Sequence, residues 1–138
     1  MRLYRAFCLA LAIAFAAVGF MFGAIPDEVI TFFNKMSMTL SFRPCPSDGC
    51  KFYLILAVAY MYIVTVLAVM MYRFPANKYF PILLINAKLA SSFMSFVFFM
   101  VHSRYLVYLI NFIVDGFIGV LVLVLYLKIV RNRKWESS

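Results

Sequence analysis

The sequence predicts an all-α protein, an integral membrane four-helix bundle with one short amphipathic helix on the extracytoplasmic side. Composition and the distribution of apolar residues both lead to this prediction. Of the 138 residues, 67% are hydrophobic and 13% are charged, whereas soluble domains have about 45–50% apolar and about 25% charged residues. The apolar residues are also concentrated in four long stretches. A soluble monomer is therefore excluded, and so is disorder, which requires low hydrophobicity and high charge.

The four stretches predict membrane-spanning helices over about residues 6–25, 52–72, 79–101 and 105–127. Each has roughly 20 residues or more, enough to cross a hydrocarbon core about 30 Å thick at about 1.5 Å per residue. Lipid offers no hydrogen-bond partner to a free backbone group, so each segment must satisfy its own backbone as a helix. The short loops around the third stretch predict antiparallel neighbours within a single membrane domain, residues 1–138.

A further helix is predicted over about residues 27–41. Pro26, followed by Asp27 and Glu28, is a helix start signal, because proline is tolerated in a first turn and acids are favoured at the positive end of the helix dipole. Apolar residues then recur at helical spacing, with polar residues mostly between them. This segment is too short and too polar to span a membrane. We expect it either in the interface or packed as a cap over the bundle.

The distribution of cations predicts that both termini are cytoplasmic. With the N-terminus inside, the inner side holds Arg2, Arg5, Arg73, Lys78, Lys128, Arg131, Arg133 and Lys134, and the outer side holds Lys35, Arg43, Lys51 and Arg104. The net charge of +8 is thus mainly a topology signal. The Lys128–Lys134 cluster also suits anionic lipid headgroups. A juxtamembrane fringe of charge does not indicate nucleic-acid binding.

The first stretch has a second interpretation, as a secretory signal peptide, because two arginines precede an alanine-rich apolar run. The run has about 20 residues, longer than the usual apolar region of about 7–15, so we expect this span to be retained. Gly19 and Gly23 form a small-xxx-small pair suited to close helix packing. Gly116 and Gly119 are candidates for the same role in the fourth span.

Lys88 and Asp115 are charged residues within the third and fourth spans. A charge at the bilayer centre costs at least about 2.5–3.5 kcal/mol, so it normally faces the bundle and has a partner. Lys88 lies about 13 Å and Asp115 about 18 Å from the same end of the bundle, an offset that a lysine stem can bridge. A Lys88–Asp115 contact is therefore predicted, although Lys88 could instead extend toward the inner interface.

Neighbouring polar residues extend this candidate site. Ser91, Ser92 and Ser95 share a helix face with Lys88, and Asn111 lies one turn before Asp115. Small and hydroxylated side chains let two helices approach and offer hydrogen bonds. One hypothesis is an ion-paired polar seam that fixes helix register. The other is a site for an ion, a proton or a polar headgroup.

Cys45 and Cys50 form the second candidate constellation, in a turn rich in proline that faces the oxidising side in the predicted topology. A structural disulfide closing a small loop is the first interpretation. A redox-active pair is the alternative, but it lacks the Cys-x-x-Cys spacing. Two cysteines and a distant histidine fall short of four zinc ligands, so no metal site is predicted. His102 is expected to be solvated at the outer end of the third span.

The four-span layout, the Lys88-x-x-Ser91-Ser92 step and Asn111-x-x-x-Asp115-x-x-x-Gly119 resemble small uncharacterised bacterial four-helix membrane proteins of the DoxX-like kind. The likeness implies a bacterial inner-membrane protein and transfers no catalytic residue. The amphipathic segment and the Cys45–Cys50 loop have no counterpart in that pattern.

Three classes of function follow. The first is a non-catalytic accessory or scaffold subunit without cofactor, whose partners are the bilayer and other membrane subunits or a second copy. The second is a small transporter or ion- or proton-coupled module that uses Lys88 and Asp115. The third is a redox or quinone-binding subunit, for which Tyr60, His102 and the cysteine pair are the candidates. No phosphate loop, nucleophile elbow or paired-carboxylate site is present in the sequence.

Overall fold

The computed structural model describes residues 2–44, 50–102 and 104–136, and the side chains of residues 2–44, 53–102 and 104–130. These residues form five helices and no strand, so the predicted all-α class is confirmed. The helices are α1 (Arg2–Ala24), α2 (Pro26–Thr39), α3 (Cys50–Arg73), α4 (Tyr79–Val101) and α5 (Leu106–Glu136).

Four of these helices are long and apolar enough to cross a membrane, over Arg2–Ala24, Tyr53–Arg73, Tyr79–Val101 and Leu106–Val130. The third has the bounds predicted from the sequence. The first begins at Arg2 rather than at residue 6, and α5 continues past residue 127 to Glu136. Arginine and lysine are good helix formers, so a helix can extend beyond the apolar stretch that predicts it.

α2 follows α1 after a single residue, Ile25, and Pro26 occupies its first turn together with Asp27 and Glu28. Its C-terminus is closed by Ser41, which has a left-handed φ of 58°. The Ser41 N–H donates to the Met38 carbonyl (3.2 Å) and the Phe42 N–H donates to the Ser37 carbonyl (2.8 Å). This is the Schellman pattern that ends helices, here built on serine rather than glycine.

The bundle consists of two helix pairs. α1 packs most extensively on α3 and α4 on α5, and the two pairs meet where α3 contacts α4. α2 makes small contacts with α1 and α5. All four long helices contribute buried residues to one apolar core, among them Tyr4, Cys8, Phe15, Val64, Ala68, Met71, Leu84 and Val122.

The outer surface of the bundle is also apolar. Ile13, Phe93 and Phe117, on three different helices, are 62%, 64% and 67% exposed. Only 17–28% of each spanning segment is buried inside the chain. Helices that are apolar all round, with large exposed side chains, are typical of membrane spans. The described structure is therefore compatible with a multi-pass membrane protein.

Candidate functional site: a buried ion pair where four helices meet

Lys88 of α4 and Asp115 of α5 form an ion pair inside the bundle. The Lys88 Nζ donates to the Asp115 Oδ1 at 2.7 Å. The two residues are 1% and 2% exposed, so neither charge reaches the surface of the chain. A buried charge is tolerated only when it is paired, because desolvation of an isolated ion costs several kcal/mol, on the order of the stability of a whole domain. The short distance and the opposite charges satisfy that requirement.

Two aromatic rings complete the surroundings of the ammonium group. The Lys88 Nζ lies 4.6 Å from the ring centroid of Phe15 on α1 and 4.9 Å from that of Tyr60 on α3. Both distances are within the range at which a ring face attracts a cation. The Tyr60 hydroxyl donates to the Ala87 carbonyl (3.1 Å), which fixes the ring against α4. Lys88 is thus the point at which α1, α3, α4 and α5 converge.

A second group of polar contacts joins α4 to α5 next to the ion pair. The Asn111 Nδ2 donates to the hydroxyl oxygens of Ser91 (3.1 Å) and Ser95 (2.6 Å). The Ser92 hydroxyl donates to the Phe112 carbonyl at 2.8 Å. The structure therefore brings together all six polar residues of the predicted seam, and Asn86 lies outside it, bonded within α4 to the Ile82 carbonyl.

One polar atom of this cluster is not satisfied. The Asp115 Oδ2 is buried and has no hydrogen-bond partner among the described residues. A buried carboxylate oxygen without a hydrogen-bond donor is energetically costly. The rest of the seam is internally hydrogen-bonded.

Small residues allow the close helix approach that these contacts require. A Cβ added at Gly116 would lie 2.8 Å from the Ser92 Oγ, and one at Gly119 would lie 3.0 Å from the Leu89 Cδ2. At the other pair, a Cβ at Gly19 would lie 3.0 Å from the Met61 Cβ. Gly23 is less confined, with the Val58 Cγ2 at 3.8 Å. Gly19, Gly116 and Gly119 therefore lie at tight helix contacts.

The remaining candidate residues are not brought to this site. His102 is exposed at the C-cap of α4. It lies about 22 Å along the helix axis from Ala87, the residue that Tyr60 contacts, at about 1.5 Å per residue. Its ring packs edge-on against Phe98, with centroids 4.9 Å apart. Cys8 is buried and unpaired in the core. Cys45 and the side chain of Cys50 lie outside the described residues, so the predicted disulfide stays a prediction. Within the described part of the chain, no group of three or more His, Cys, Asp or Glu side chains could hold a metal ion.

Sequence reasoning did not assign Phe15 to this site. It is one of 16 phenylalanines and carries no mark that separates it from packing residues. Tyr60 does carry a signal, as a tyrosine within the second span, but from the sequence it is a candidate for quinone binding. In the structure it instead faces the Lys88 ammonium.

No protein-family model, curated protein or solved structure matches this chain.

Proposed function

We propose that the chain is a small multi-pass membrane protein without catalysis of its own, which acts as an accessory or scaffold subunit. The observation that carries this proposal is the polar seam between α4 and α5. The Lys88 Nζ donates to the Asp115 Oδ1 at 2.7 Å, and Asn111 and Ser92 find their acceptors across the same interface. Groups bonded to one another in this way fix the register of two helices.

The outer surface supplies the second argument. Phe20 of α1, Tyr62 of α3, Phe93 of α4 and Phe117 of α5 are 64–74% exposed. In a bilayer these faces contact lipid or another spanning helix. A rigid bundle with fully apolar faces is suited to packing against a partner subunit, since its internal polar groups do not compete for that surface.

The proposal extends to orientation and membrane. The cations predict cytoplasmic termini, and the resemblance to DoxX-like proteins implies a bacterial inner membrane. α2 then lies on the extracytoplasmic side. Its Val29 and Ser37 are buried, whereas Phe32 and Met38 are 59% and 61% exposed. We propose that α2 rests on the bundle with its buried side and places these exposed apolar residues at the acyl boundary.

Photo-crosslinking in native membranes tests the scaffold role. A photoreactive phenylalanine analogue is placed in turn at Phe20, Tyr62, Phe93 and Phe117, and the products are identified by mass spectrometry. We expect one face to capture a single membrane protein, or a second copy of the chain, in high yield. The buried Phe15 is the matched control, since at 4% exposure it can crosslink only within the chain. If lipid is the sole product at all four exposed positions, the scaffold proposal is wrong.

A second candidate function is favoured by the unsatisfied Asp115 Oδ2. A buried carboxylate that pairs with lysine through one oxygen and leaves the other free could exchange a proton, so a proton-coupled transporter is the alternative. Reconstitution in liposomes with a pH-sensitive dye distinguishes the two. Proton flux that is abolished by Asp115→Asn and kept in Asn86→Ala would favour transport. The scaffold proposal predicts the same background proton leak in the original chain, in Asp115→Asn and in Asn86→Ala.

A further inference from the structure

The structure holds a second cluster of charge that the polar seam does not use, at the end of the bundle where α1 begins. Arg5 of α1, Arg73 at the end of α3 and Lys78 just before α4 line one open groove of about 700 Å³. The loop 74–77 and Tyr79 form the rest of its wall. All three cations are exposed, so their charged groups are available to a ligand.

The charge of this groove is uncompensated by its own lining, since none of the eight lining residues is acidic. Of the acidic side chains that the structure describes, those of Asp27 and Glu28 lie at the start of α2, at the far end of α1, and that of Asp115 is paired to Lys88. Tyr79 begins α4, which has no acidic residue in its first turn. The positive end of that helix dipole therefore adds to the potential of the three side chains.

The groove is also preorganised by hydrogen bonds of its loop. The Phe74 N–H donates to the Met70 carbonyl (2.8 Å) and the Asn77 N–H donates to the Phe74 carbonyl (3.0 Å). The Tyr79 N–H donates to the Asn77 Oδ1 (2.9 Å). The Lys78 ammonium lies 5.5 Å from the Tyr79 ring centroid, which restrains that side chain near the groove. A fixed loop lowers the ordering cost of binding.

From this arrangement we propose that the groove binds a phosphate group, with Arg5, Arg73 and Lys78 as its ligands. Guanidinium groups donate paired hydrogen bonds to phosphate oxygens, and lysine adds a point charge. The phosphate is carried either by an anionic phospholipid headgroup or by a free anion. The groove lies between the end of α3 and the start of α4. A phospholipid headgroup can reach it only if these helices span a membrane, as proposed above. The chemistry of recognition does not rest on the scaffold role.

Native mass spectrometry of the full chain in a nonionic detergent tests the proposal, with dioleoylphosphatidylglycerol as the probe. We expect one lipid to bind in preference to phosphatidylcholine. Arg73→Gln/Lys78→Gln should weaken binding by about tenfold or more, since two charge-assisted contacts are lost. Arg5→Gln, on a separate helix, should weaken it to a smaller extent. Lys35→Gln/Arg104→Gln is the matched control, because both cations are exposed and neither lines the groove.

Competition with inorganic phosphate separates the two sources. Displacement of the lipid by millimolar phosphate would assign the groove to a soluble phosphate. Retention of the lipid would assign it to a headgroup held additionally by its acyl chains. Equal losses in Lys35→Gln/Arg104→Gln and Arg73→Gln/Lys78→Gln, or equal binding of phosphatidylcholine, would overturn the proposal. Circular dichroism checks that each variant keeps its helices. If only Arg5→Gln remains folded, its lipid binding compared with that of the original chain is sufficient to test the proposal.

Discussion

Removal of one member of the Lys88–Asp115 pair should be far more damaging than removal of both. Lys88→Met leaves the Asp115 carboxylate, 2% exposed, without its partner at 2.7 Å, and Asp115→Leu leaves the Lys88 ammonium, 1% exposed. Breaking a buried pair in this way costs about 3–5 kcal/mol, whereas replacement of both charges by apolar groups is often neutral. We therefore expect the double variant to unfold within about 1 kcal/mol of the original chain.

The assay is a double-mutant cycle on the free energy of unfolding, measured by titration with sodium dodecyl sulfate in mild detergent micelles. For comparison with this ion pair, neutral polar pairs in membranes have coupling free energies of at most about 1.7 kcal/mol. With single-variant costs of about 3–5 kcal/mol and a double variant within about 1 kcal/mol of the original chain, we predict a coupling free energy of at least about 5 kcal/mol for this ion pair. Lys88→Met combined with Lys128→Met, an exposed cation on α5, is the control and should be additive. Additivity of Lys88→Met and Asp115→Leu to within about 0.5 kcal/mol would refute the claim that these charges support each other.

Three further outcomes follow from the same structure. Gly19→Ala should be less stable than Gly23→Ala by about 1–3 kcal/mol in the same unfolding assay. At position 19 the new Cβ lies 3.0 Å from the Met61 Cβ, whereas at position 23 it makes an ordinary van der Waals contact. Equal stabilities would contradict the packing of α1 on α3. In the original chain, Phe15→Leu should lower the free energy of unfolding by about 2 kcal/mol more than the loss of packing alone, because the contact with the Lys88 ammonium is also lost. In a Lys88→Met background this additional loss should be absent. An equal loss in both backgrounds would rule out the cation–π contact. A green fluorescent protein fused to the C-terminus should fluoresce and alkaline phosphatase fused there should be inactive, and the reverse pattern would invert the proposed topology.

The fold class could be predicted because the solvent dictates it. An apolar stretch long enough to span lipid must be helical, and the four stretches predict the four long helices with errors confined to their ends. The ends of α1 and α5 could not be placed, since charged residues that leave the apolar stretch still favour helix. The pairing of α1 with α3 was also not predicted, because periodicity within one helix does not say which neighbour it contacts.

The polar residues of the site could be found from the sequence for an energetic reason. Charges within an apolar stretch are costly, so Lys88 and Asp115 stand out, and helical spacing adds Ser91, Ser92 and Asn111. The aromatic partner Phe15 could not be found in this way. Apolar rings are expected at every position of a span, so nothing in the sequence separates a ring over a cation from one facing lipid.

The most direct test of the central claim is whether α4 and α5 meet in the membrane along the seam. A Cβ at Gly116 lies 3.7 Å from the Ser92 Cβ, close to the separation of about 3.8 Å that a disulfide requires. In a chain whose native cysteines are replaced by serine, Ser92→Cys/Gly116→Cys should form a disulfide in native membranes on mild oxidation, detected by intact mass. Phe93→Cys/Gly116→Cys is the control, since Phe93 is 64% exposed, and it should stay reduced. A folded Ser92→Cys/Gly116→Cys variant that does not crosslink, or a control that crosslinks equally, would contradict the seam.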